Sequence, residues 1–64
     1  MTNDERYLIH SAVRNALVFG NSWFAASKDA IADNGHTWTD EHEREACAVF
    51  DRFDKEMGRP LKEE

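Results

Sequence analysis

Covalent staples are nearly absent from this chain. One cysteine, Cys47, rules out an internal disulfide, and no grouping of Cys and His has the spacing of a zinc site. Cysteine usage of this kind reads as cytoplasmic rather than secreted. Proline occurs once, at Pro60, and glycine three times, which excludes low-complexity and collagen-like chains. Unbroken apolar runs such as Ala16-Leu17-Val18-Phe19 are too short for a membrane span, and the acidic start Met1-Thr2-Asn3-Asp4-Glu5 does not resemble a signal peptide. Positive charge is also scarce. Eight basic residues face 13 acidic ones, a net of -5. Nonspecific binding to nucleic acid or anionic lipid needs a positive field, so neither is an expected partner.

What remains is short and apolar enough to fold. The chain has 64 residues, room for a single domain, and 41% of them are hydrophobic. A chain of this size buries only about 60% of the surface its unfolded form exposes. Without disulfide or metal, the remaining way to add buried surface is a partner.

The apolar residues recur at helical spacing. Thr2 and Glu5 form a capping-box pattern, with Asn3 an equal candidate for the cap. Leu8, Ile9, Ala12, Val13, Ala16 and Leu17 then make one stripe, which Tyr7 and Phe19 widen, while Arg6, His10, Arg14 and Asn15 fall mostly on the other side. Gly20-Asn21-Ser22 favours a break, since each residue has its own reason to turn, although the stripe also runs on in phase through Ser27 and Ile31. Asn34-Gly35 ends the second segment. Thr39 caps a third, whose stripe is Ala46, Cys47, Val49, Phe50, Phe53 and Met57, and which Gly58 and Pro60 close. The expectation is an all-α chain with helices at about 4–19, 22–33 and 40–57. It forms an antiparallel helical hairpin or a three-helix bundle, completed by homodimerisation.

No pattern demands a chemistry. Asn34, Gly35 and Glu41 fit three places of a calcium-binding loop, but Ala30 and Ala32 stand where two ligand oxygens are needed. Glu41 and Glu45 share a helical face with His42 beside them, too few ligands for a metal site, and acidic residues at a helix start need only the helix dipole to explain them. Cys47, on or beside the stripe, reads as a buried small hydrophobe rather than a nucleophile. Asp51 and Asp54, flanked by Arg52 and Lys55, read as surface ion pairs. The expectation is therefore no catalytic residue, no metal and no cofactor.

Protein binding is the expected role. Aromatics at Tyr7, Phe19, Trp23, Phe24, Trp38, Phe50 and Phe53 are many for a two-helix hairpin, and a dimeric four-helix arrangement uses them better. Trp23 and Phe24 point about 100° apart on a helix, so they do not share one narrow seam, and Trp38 stands in a linker. These three, with the acidic Asp40, Glu41 and Glu45, are the candidate partner-binding residues. The first reading is a small self-associating interaction module. The alternative is an acidic regulator of the phage-encoded or antitoxin-like kind. It would bind a basic nucleic-acid-binding protein by partial phosphate mimicry, which Arg44, Arg52 and Lys55 interrupt; a metal-binding domain is the remote alternative.

Overall fold

The computed structural model describes residues 1–56, so the expected helix end at Met57, Gly58 and Pro60 lies outside the described residues. Three helices follow one another: α1 (Asn3–Phe19), α2 (Trp23–Asp33) and α3 (Asp40–Glu56). No strand occurs among the described residues. The chain is an all-α domain that folds as a three-helix bundle, and not as the two-helix hairpin.

Local chemistry sets each boundary. Thr2 caps α1: its hydroxyl accepts from the Glu5 amide at 3.1 Å, and Glu5 Oε1 accepts from the Thr2 amide at 2.8 Å. Gly20 ends α1 in the left-handed region at φ 74°, which lets the Asn21 amide donate back to the Ala16 carbonyl at 2.8 Å. Only three residues separate the helices here, and Ser22 already caps α2 through the Ala25 amide. Gly35, at φ 82°, ends the next turn the same way. The His36 amide reaches the Ile31 carbonyl and the Gly35 amide reaches Ala32, both at 3.0 Å.

α1 and α3 run in the same direction, because their contacts rise in step along both helices. Met1 meets Glu41, Glu5 meets His42, His10 meets Glu45, and Leu17 shares a groove with Phe53. α2 returns antiparallel to both, as short connections require. α1 is the central packing element, with its largest contact to α2, while α2 and α3 touch least.

The core is small. α1 and α3 each bury positions i, i+4 and i+7: Ile9, Val13 and Ala16 from one, His42, Ala46 and Val49 from the other. α2 adds Ser27 and Ile31. Ser27 lets the helices approach closely, and its hydroxyl is satisfied by the Trp23 carbonyl at 2.8 Å. Leu8, Leu17, Trp23, Trp38, Phe50 and Phe53 pack round this centre half-buried.

Four expectations from the periodicity are corrected. Tyr7 and Phe19 do not widen the buried stripe; they are 71% and 73% exposed. His10 is not on the solvent side, but lies half-buried between α1 and α3. Cys47 is exposed, because it sits about 100° round the helix from the buried Ala46. His42 is not part of a solvated acidic face. It continues the α3 stripe one turn further and is 4% exposed.

Candidate interaction surface

Four of the aromatic residues, Trp23, Phe24, Trp38 and Phe50, form one connected ladder within the chain. Trp23 stacks on Phe50, with ring centroids 4.9 Å apart and planes inclined by 15°. Phe24 meets the edge of Trp23 at 5.9 Å and of Trp38 at 5.8 Å, and Lys28 Nζ lies 5.5 Å over its ring. Trp38 stacks in turn on His42 at 5.6 Å. The Trp23–Phe24 divergence expected from helical geometry is present, but a ring from elsewhere in the chain meets each side: Phe50 on α3 and Trp38 in the linker. Offset and edge-to-face pairs of this kind each add about 0.5–1.5 kcal/mol beyond the area they bury.

His42 holds the far end of the ladder through a modified capping box. The Thr39 amide donates to His42 Nδ1 at 3.0 Å, and the His42 amide faces Thr39 Oγ1 at 3.4 Å. The imidazole takes the place of the usual glutamate three residues after the cap. A backbone amide can only donate, so Nδ1 accepts and the ring proton of neutral His42 sits on Nε2. Nε2 lies 3.4 Å from Glu5 Oε2, outside hydrogen-bonding geometry, and is otherwise without a polar partner among the described residues.

Glu5 is therefore shared between three groups. Oε1 closes the α1 cap, while Oε2 also faces His36 Nδ1 at 3.1 Å. The Thr2 amide is the main reason that the Glu5 carboxyl titrates below its ordinary value, with the His42 and His36 rings adding to it and desolvation opposing it. Oε2 carries both histidine contacts, and among the described residues no group of three His, Cys, Asp or Glu side chains is arranged to hold a metal ion.

The acidic candidates divide. Glu45 is half-buried and meets His10 Nε2 at 3.2 Å, with Phe53 edge-on to the same ring at 6.1 Å. Glu41 is exposed and lies 3.5 Å from the amine of Met1. Asp40 is exposed. Lys55 and Asp51, 3.5 Å apart and both largely exposed, are the ordinary surface pair that their spacing suggests.

Solvent-facing apolar surface lies elsewhere. Among the described residues, the large hydrophobic residues that stand exposed are Tyr7, Val18 and Phe19, all on α1. Phe19 closes one end of a shallow groove between α1 and α2, of about 390 Å³. Leu8 and Asp33 close the other end, and Ala12, Ala26 and Ala30 line its floor. Phe19 carries a signal that the sequence already held, in its i+4, i+7 and i+11 relation to Asn15, Ala12 and Leu8. The groove itself needs α2 beside α1, and no spacing within one helix displays it.

Comparison with protein-family models, with curated proteins and with solved structures finds no match for this chain. Among the described residues, no helix is long and apolar enough to cross a membrane.

Proposed function

We propose that this domain works by binding protein, with no chemistry of its own, and that its first partner is a second copy of itself. The observation that carries this reading is the position of the exposed apolar side chains. Tyr7, Val18 and Phe19 stand 57–73% exposed on one helix of a domain whose other large aromatics are stacked internally. A small domain with a core of six buried apolar residues gains proportionately from covering such surface. The acidic-regulator reading has less support, since Glu45 and Glu41 already face His10 and the Met1 amine.

The test is solution mass by light scattering across a concentration series, at low and moderate salt. Self-association through an apolar face of an acidic chain should tighten as salt screens the net charge of -5 on each copy. Capture of a basic protein would instead weaken with salt. A mass that stays monomeric at every concentration refutes the self-association reading.

A further inference from the structure

We infer that His42 is a proton switch for the start of α3: the neutral ring closes the cap at Thr39, and protonation opens it. The amide and the hydroxyl of Thr39 converge on Nδ1, at 3.0 and 2.8 Å. Both are donors to the neutral ring, whose own proton is on Nε2. A second proton therefore has only Nδ1 to occupy. The Thr39 hydroxyl can then turn and accept, but an amide can only donate. Protonation thus sets two donors against each other 3.0 Å apart and costs the Thr39 amide its acceptor. Thr39 is exposed, so the freed amide turns to water. The linker from His36 to Thr39 loosens, and with it Trp38, which stacks on the His42 ring. The rest of the bundle stays folded.

The charges round the ring do not prevent this. From α1, Glu5 Oε2 faces His42 Nε2 at 3.4 Å, but His36 from the linker holds the same oxygen at 3.1 Å. Two imidazolium rings would share one counter-charge, so Glu5 does not fully compensate a charged His42. On α3 itself, Glu41 faces the Met1 amine and Glu45 faces His10. α2 brings Lys28 over Phe24, with the Phe24 and Trp38 rings between it and His42. Imidazoles ordinarily titrate between about pH 5 and 8. The Glu5 carboxyl titrates below its ordinary value, chiefly through the Thr2 amide, so it stays ionised over that range. The α1 cap therefore holds where the α3 cap opens, and the opening is local.

Nitrogen-15 magnetic resonance of the native chain, titrated from about pH 8 to about pH 4.5, reads both partners at once. The ring nitrogens of His42 report tautomer and charge, and the backbone amide of Thr39 reports the cap. The expected result is the Nε2–H tautomer at the alkaline end, then a ring and a Thr39 amide that move with one midpoint. Hydrogen-exchange protection of the Thr39 amide, corrected for its intrinsic rate, should fall about tenfold or more, while Val13 and Val49 in the core keep theirs. His42→Gln can cap without titrating, and should leave the Thr39 amide unmoved over the same range. An Nδ1–H tautomer at the alkaline end overturns the switch. So does a ring that titrates without moving Thr39, or one that stays neutral until Val13 and Val49 also lose protection. A Thr39 amide that still titrates in folded His42→Gln assigns the effect to His36 or Glu5 and overturns it equally. Should circular dichroism show His42→Gln to be unfolded, the native titration decides by itself.

Discussion

The two sides of this bundle treat aromatic residues in opposite ways. On the side where α2 meets α3, Trp23, Phe24, Trp38 and Phe50 lean on one another and on His42. At the two flanks of α1, Tyr7 on the α3 side and Phe19 on the α2 side stand largely in solvent. The total number of aromatics therefore says little about an interface. What matters is whether a second element of the chain comes close enough to cover each ring. α2 has 11 residues against 17 in each neighbour, so large side chains fill what a longer helix would have covered.

Removing core volume should break this contrast most severely. Ile31 is fully buried at the centre. Ile31→Ala is expected to cost about 2–5 kcal/mol, a large part of what a domain of this size possesses, read as a fall in the urea midpoint. Phe19→Ala, by comparison, should change the stability of the monomer by less than about 0.5 kcal/mol. A comparable loss at both positions would mean that Phe19 is covered in solution.

The ladder itself offers the next largest effect. His42→Ala strips the Thr39 amide of its acceptor and one end of the ladder of its stacking partner, at an expected cost of about 1–3 kcal/mol. His42→Gln restores a residue able to complete the capping box and should recover part of that loss. Equal losses in both variants would show that the stacking, and not the cap, is what His42 contributes. A double-mutant cycle on Trp23 and Phe50 should give a coupling of about 0.5–1.5 kcal/mol, while Tyr7 with Phe50 should give none.

Glu5 supplies a pH dependence. Its carboxyl titrates below the ordinary value of 4.5 in the folded chain, so the folded state favours the ionised form. That contribution to stability is fully present above the unfolded value and is lost as pH falls through the lower folded value. Melting temperature followed from pH 6 downward should drop on this limb, and Glu5→Gln should flatten the drop. An unchanged acid limb in the variant would assign the dependence to other carboxylates. The smallest effect is expected at Cys47. Cys47→Ser, at an exposed position, should leave stability within about 0.5 kcal/mol.

Much of the fold was legible in the sequence, and the readable parts share one property. Thr2 with Glu5, Asn34-Gly35 and Thr39 all act within five residues of themselves, so local chemistry suffices to place them, whereas at Gly20-Asn21-Ser22 the turn residues favoured a break that the in-phase stripe left open. The stripe through Ile9, Val13 and Ala16 was equally plain. His42 could have been read too. It stands four, seven and 11 residues before Ala46, Val49 and Phe53, but its acidic neighbours gave the segment the look of a solvated face. Cys47 was misplaced for the opposite reason, an apolar residue counted into a stripe because it adjoins one.

The contacts that define the candidate surface were not legible. Glu5 meets His36 and His42 more than 30 residues away, and His10 meets Glu45 across 35 residues. By itself the sequence determined that there are three helical segments, where the first and third begin, and which face of each carries most of the central apolar residues, because caps and periodicity are properties of neighbouring residues. Only the tertiary structure decided that the tryptophans cover one another and that Phe19 stays bare. Burial of a large side chain depends on whether a distant part of the chain arrives beside it, and the spacing of residues along one helix carries no record of that.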